Sequence, residues 1–272
     1  MFGAGGLEGQ NYVWNAAPSG LTLGITLVQN ISTDDIVGAP GAHYKVDKYG
    51  WIGCAGVESP LFFTSTKGRI KSAADLKVTK NLKFTGMERT AMHSLWSMSI
   101  AWLLDLDAKV LTGLSIADTE LLILRGEADG SITSPTRFFR GLKAGDQKGL
   151  LVITPDGKRN PTVPDLPELR ELTKLDAEKM KYYQLTSVVL TNSGKSIFTT
   201  PGIPQERLQF LRDTFTWITK QEKFNRDMET MMGYAPIQYK SGKELDEEAA
   251  SIIANRTYLK DRFQFLLKRY TD

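Results

Sequence analysis

Apolar and polar positions alternate every second residue in several short runs, and between those runs the period lengthens to that of a helix. Residues 21–27, Leu-Thr-Leu-Gly-Ile-Thr-Leu, alternate behind a Pro-Ser-Gly turn and predict a strand. Residues 30–50, punctuated by Gly and Asp, read as loop. A buried strand is expected over 61–65 and a short capped helix over 72–76, where Ser72 precedes Asp75 by three positions. Residues 82–85 predict a strand that Gly86 breaks, and 89–104 a helix with Met92, Leu95, Trp96, Ile100, Leu103 and Leu104 on one broad face. The alternation then repeats as strand 108–112, helix 117–125, strand 128–133, helix 135–142 and strand 149–154. Strands separated by helices predict parallel, doubly wound sheets.

The rhythm breaks where Pro155, Pro161, Pro164 and Pro167 cluster. Helices are expected near 167–173 and 177–187, and a strand over 196–200. Pro204 suits a first helical position, with the apolar stripe Leu208, Leu211, Phe215 and Ile218 behind it. Residues 244–268 predict one last long helix.

Charge and rare residues remove several functions from this α/β outline. With 34 basic against 31 acidic residues, the net charge of +3 is too balanced for a nucleic-acid or anionic-membrane binder. Cys54 is the only cysteine, which excludes an intrachain disulfide and a cysteine-based metal site. His43 and His93 lie far apart, so no histidine metal site is expected. The most apolar run, 95–106, is interrupted by Ser97, Ser99 and Asp105 and is short of a membrane span. At 272 residues the chain suits one large domain or two modest lobes.

The opening Met-Phe-Gly-Ala-Gly-Gly looks like a phosphate cradle but fails as one. Counting from Gly3, Glu8 occupies the place of the third glycine, and no strand precedes the loop. Thr85-Gly-Met-Glu-Arg-Thr90 is a better candidate for chemistry. A strand ends there and a helix begins, so unpaired amides and the positive end of the helix dipole would meet an anion, helped by the hydroxyls of Thr85 and Thr90 and by Arg89. The other reading is an ordinary capped helix with Arg89 in solvent. Thr112-Gly-Leu-Ser115, followed by Asp118, repeats that anatomy one βα unit later, and two such loops could face one crevice. Ser131, Ser134 and Ser187 lie in no nucleophile elbow, and neither histidine has a placed carboxylate partner. Glu127 and Asp129 resemble a loose carboxylate pair but read as solvated charges. The candidate ligand-binding set is Thr85, Gly86, Met87, Arg89, Thr90, Gly113, Ser115, Asp118 and Ser131. No catalytic residue, cofactor or metal is expected.

Several stretches resemble one family. Gly3-Ala-Gly-Gly6 through Gly24, Tyr49-Gly-Trp-Ile-Gly53, Thr85-Gly86, Thr112-Gly113, Arg125-Gly-Glu-Ala-Asp-Gly130, Pro164-Asp-Leu-Pro167 and Thr200-Pro-Gly-Ile-Pro204 are similar, in order and spacing, to motifs of the substrate-binding receptors of tripartite tricarboxylate transporters, the TctC-like or Bug proteins. The resemblance implies a periplasmic-binding-protein-like (type II) fold of two lobes, each a doubly wound, mainly parallel sheet with flanking helices. Lobe 1 would hold residues 1–60 and 197–272, and lobe 2 residues 61–196, closing by a hinge on a small di- or tricarboxylate in the cleft between them. It further implies a periplasmic receptor without enzymatic activity, which delivers its organic acid to the membrane subunits of the transporter without inserting into the membrane itself. In that family the opening glycines shape a turn beside the ligand. A secretory signal and a first βαβ unit are expected ahead of them, and without that unit a sheet edge would be exposed and self-association favoured. Glu88 and Met87 depart from the family's small residues. Two readings stay open beside this one: a sensory or protein-interaction module, and an α/β enzyme acting on an anionic substrate.

Overall fold

The computed structural model describes residues 6–57, 59–191, 195–235 and 238–271. Contacts divide the chain into two units, one of Met1–Glu58 with Val188–Thr257 and the other of Ser59–Ser187 with Tyr258–Asp272. In chain order the first unit opens with α1 (Leu7–Trp14), β1 (Leu23–Leu27), α2 (Val28–Val37) and β2 (Gly50–Ala55). The second unit follows with β3 (Leu61–Ser65), α3 (Ala73–Val78), β4 (Leu82–Thr85), α4 (Met92–Leu103), β5 (Ala108–Leu111) and α5 (Ile116–Leu124). It continues through β6 (Gly130–Thr133), α6 (Pro135–Ala144), β7 (Gln147–Val152), α7 (Leu169–Leu172) and α8 (Ala177–Thr191), whose last turn passes the division. The first unit is completed by β8 (Lys195–Thr199), α9 (Gln205–Ile218), α10 (Glu222–Met232), β9 (Tyr239–Ser241) and α11 (Gly242–Ala254). Residues of α12 (Arg256–Tyr270) from Tyr258 onward belong to the second.

In the second unit the strand order is β5-β4-β6-β3-β7. Only β4 with β5 and β4 with β6 pair in parallel, whereas β3 runs against both β6 and β7. The first unit's order is β1-β8-β2-β9, and every neighbouring pair is antiparallel. The α/β class therefore stands as read, but among the described strands parallel pairing is confined to the β5-β4-β6 core of one sheet, with one isolated parallel bridge between Val152 and Glu168. The reason lies in the path of the chain. β3 and β8 are the first strands after the chain passes from one unit to the other, and each enters its sheet against its neighbours.

Burial explains the elements. α4 is covered on all sides from Ser94 to Leu103, and its serines tie it to its neighbours: Ser97 Oγ donates to the carbonyl of Thr85 on β4 at 3.0 Å, and Ser99 Oγ pairs with the Tyr182 hydroxyl on α8 at 2.6 Å. A second cluster joins Leu61, Phe63, Ile123, Ala128, Phe138, Val152 and Val163. In the first unit Ile52, Ala55, Leu208, Phe215, Met228 and Met232 form the core, while Leu23 and Ile25 stand exposed on β1, an edge strand.

The elements correct four sequence expectations. Residues 28–37, mostly within the supposed loop of 30–50, form α2, closed by Gly38 in the left-handed conformation at φ 69°. The last helix is two helices, because Asn255 ends α11 by donating both its backbone N–H and its side-chain amide to the carbonyl of Ser251. α10 and β9 had no counterpart in the sequence reading. Residues 258–271, assigned by sequence to the first lobe, pack in the second unit, where Leu259, Phe263, Leu266 and Tyr270 are buried and the ring of Phe265 meets Trp102 edge-on at 6.2 Å.

Candidate functional site

Parallel pairing puts the carboxyl ends of β4, β5 and β6 side by side, so the loops that follow them share one end of the sheet. The backbone laces two of these loops together. Gly86 N–H donates to the Leu111 carbonyl at 2.9 Å, and Gly113 N–H to the Met87 carbonyl at 2.7 Å. Ser131 on β6 donates its hydroxyl to the Thr85 carbonyl at 2.8 Å. Thr85, Gly86, Met87, Gly113 and Ser131 are thus one structural neighbourhood.

The start of α4 is open. Its N-cap is Ala91, whose side chain cannot accept a hydrogen bond, and among the described residues no side-chain cap bond is made there. The helix begins at Met92 rather than near Arg89, because the Ala91 N–H turns back to the Glu88 carbonyl at 2.9 Å. Ser94, inside the helix, ties the loop down by donating to the carbonyls of Glu88 at 2.8 Å and Met87 at 3.2 Å. Thr90 is partly buried just before the opening, and Glu88 is exposed.

The start of α5 is closed, which differs from the expectation of matching open ends. Ser115 Oγ accepts from the Asp118 N–H at 3.1 Å, and the Asp118 carboxylate accepts from the Ser115 hydroxyl at 2.6 Å and its N–H at 3.3 Å. This capping box satisfies the amides an anion would need and adds a negative charge at the same place. Arg89 is exposed and donates to the Thr271 hydroxyl at 2.8 Å, which draws it toward the end of α12.

Two buried hydroxyls near the open helix start, Thr85 Oγ1 and Thr133 Oγ1, have no hydrogen-bond partner among the described residues. Thr133 also lines a small hollow with Met87, His93, Glu120, Ser131 and Arg137, which encloses about 10 Å³, the room of a single water molecule. His93, Thr133, Glu120 and Arg137 were not among the sequence candidates. Arg137 pairs with Glu120 at 3.3 Å.

His93 carries a pH signature. Burial, and then the neighbouring Arg137 guanidinium, lower its pKa from 6.5 to about 4, with Glu88 acting weakly the other way. The unfolded chain takes up this proton near pH 6.5 and the folded chain only near pH 4, so the unfolded state binds more protons between those values. Stability contributed by the neutral imidazole is complete above pH 6.5 and is lost as the pH falls toward 4. The ring keeps some contact with solvent, so the loss is at most about 3 kcal/mol. Calorimetry is expected to give a level melting temperature above pH 6.5 and a fall below it. In His93→Gln that fall should shrink, and an unchanged acid limb would remove His93 as its source.

Asp129 is not the solvated charge expected. It is buried, its carboxylate takes two bonds from Arg69 at 2.6 and 2.8 Å, and it accepts the Lys83 N–H at 2.8 Å, pinning β6 to β4. Among the described residues no group of three or more His, Cys, Asp or Glu could hold a metal ion, and no helix is long and apolar enough to cross a membrane.

Two α/β units, each built from separate stretches of chain, give the fold of the periplasmic solute-binding proteins. Solved structures of similar fold include TctC and Bug proteins. A TctC solute-binding protein from Polaromonas matches with a TM-score of 0.72 at 16% identity, covering 96% of this chain and 84% of that one. MatC from Rhodopseudomonas palustris, solved with bound malate, matches at 0.66 and 17% identity, covering 98% and 86%. A further R. palustris protein, solved with adipate, matches at 0.69 and 17%, covering 95% and 83%. No protein-family profile matches the chain. No curated protein matches its sequence.

Proposed function

We propose that the chain is a non-enzymatic, extracytoplasmic receptor for a small organic acid with two or more carboxylates, acting with the membrane subunits of a tripartite tricarboxylate transporter. The observation that carries this reading is the uncapped start of α4 beside the unpartnered, buried hydroxyls of Thr85 and Thr133. A buried hydroxyl without a partner is a cost that a ligand oxygen would relieve. Malate and adipate in two proteins of the same fold support the ligand class.

One carboxylate is placed against the amides of α4 and the hydroxyls of Thr85, Thr90 and Thr133, with Gly86, Met87, Gly113 and Ser131 shaping the floor. Ser115 and Asp118 shape the rim from their capping box, and Arg89 attracts the acid from the solvent side. Neutral donors suit a receptor that must release its cargo, since a fully desolvated ion pair carries a heavy penalty when it is broken.

Thr133→Val tests the reading because it separates binding from folding. Removing an unpartnered hydroxyl leaves the melting temperature unchanged or raises it, by up to about 1 kcal/mol of stability. Binding of malate, succinate, adipate or citrate, measured by titration calorimetry, is expected to weaken at least about tenfold in the variant. Absence of binding to all four acids by the folded protein at millimolar concentration would overturn the proposal.

A further inference from the structure

We propose that two copies of this chain associate through the outer face of α9, antiparallel about a two-fold axis. α9 lies against the first unit's core through Leu208 and Phe215. Its opposite face carries two large aromatic side chains in water: Phe210 is 69% exposed and Trp217 63% exposed. They are not scattered. Glu206, Phe210, Asp213, Trp217 and Lys220 follow one another at intervals of four, three, four and three residues, the spacing that keeps side chains on one stripe of a helix. Lys220 sits one turn past Trp217, where its N–H still bonds to the Trp217 carbonyl at 3.2 Å.

The ends of the stripe have opposite charge, and among the described residues neither Glu206 nor Lys220 takes part in an ion pair. That polarity selects the partner and its direction. A second copy in the parallel sense would set Glu206 against Glu206, Asp213 against Asp213 and Lys220 against Lys220. In the antiparallel sense, with the axis near Asp213, each Phe210 meets Trp217 of the other copy and each Glu206 meets Lys220. Only the Asp213 carboxylates then approach as like charges, and each is held by its own Gln209 amide at 2.8 Å. Such a contact is isologous and closes on itself, so it yields dimers and no longer chains. Exposed aromatics in this arrangement give both buried area and ring pairing, and Trp is the residue most often dominant in an interface.

Sedimentation equilibrium of the intact protein across a wide concentration range tests the inference. A reversible monomer–dimer equilibrium is expected. Trp217→Ala should weaken it at least about tenfold, and Asp213→Asn should tighten it. Glu206→Lys alone and Lys220→Glu alone should each weaken it, whereas the double variant Glu206→Lys with Lys220→Glu should restore it, because the inverted charges again meet across the axis. A merely structural role of these exposed residues would give no such rescue. A strictly monomeric wild type, no restoration in the double variant, or a dimer that survives Phe210→Ser with Trp217→Ser, as pairing through the β1 edge would, each overturns the proposal. None of these outcomes depends on carboxylate binding.

Discussion

Gly86→Ala is expected to cost about 3 kcal/mol and to abolish ligand binding with it. The glycine lies at the turn from β4 into the α4 loop, and a methyl group there would stand 2.3 Å from Ser94 Oγ, 2.8 Å from Ser94 Cα and 2.9 Å from Ser94 Cβ. One of those atoms belongs to the helix backbone, so rotating a side chain cannot clear it. The methyl must push α4 away from the strand end, and it loosens the bonds from Ser94 to the carbonyls of Met87 and Glu88 as it does so. A fall in melting temperature of about 6–12 °C is expected by calorimetry, together with loss of the heat of carboxylate binding. Gly113→Ala is the matching control. It has a left-handed backbone at φ 82° but open space around the added carbon, so its cost is limited to the conformational strain of about 1 kcal/mol. Equal effects from the two substitutions would show that close packing of Gly86 against α4 is not what the turn requires.

Asp35→Ala is expected to be nearly as damaging, for an electrostatic reason and in the other unit. The Asp35 carboxylate is fully buried and accepts from Lys45 Nζ at 3.0 Å, from the Val46 N–H at 3.0 Å and from the Arg256 guanidinium at 3.2 Å. Arg256 also donates to the Asp35 carbonyl. Removing the carboxylate strands a buried amide and leaves two cations without their counter-charge. The penalty for breaking a buried pair is reduced here because Lys45 is half exposed, which leaves about 3 kcal/mol. Asp35→Asn, which keeps an acceptor for Val46, should lose less. Hydrogen exchange is expected to quicken in α2 and around Val46 while the amides of α4 keep their protection. Uniform loss of protection would argue against so local a role.

Asp35 also shows where the sequence was hard to read. Its stretch, with Ser32, Thr33, Asp34 and Asp35 together, has the composition of a loop, and its helix is held by contacts with Val46, beyond the helix end, and with Arg256, far along the chain. Local propensity carries no trace of such partners. Where short-range signals were sufficient, the reading matched: β3 and β4 run over the residues read as strands, and Ser72 caps α3 with Asp75 in a full capping box. The same Ser-x-x-Asp spacing at Ser115 and Asp118 was equally visible, yet it was read as half of an anion clamp. The open start of α4 was legible in outline, because a glycine turn joins a strand to a helix. Thr133, Glu120 and Arg137 were not, since they come to His93 only through the pairing of β6 with β4 and the packing of the helices around it. Asp129 misled in the other direction. Exposure is the usual state of an aspartate, and nothing adjacent announces Arg69, which lies 60 residues earlier.

The interleaving of the two units bears on how the polypeptide is made. Strand β8, which joins β1 to β2, leaves the ribosome only after the whole stretch Ser59–Ser187, an interval on the order of ten seconds at ordinary elongation rates. Until then Trp51 and Phe62 emerge into a half-built sheet and a core still lacking α12. Nascent chains of this design should call on chaperone holding during translation, and a ribosome stalled beyond residue 187 but before residue 258 would display a second unit still missing its closing helix.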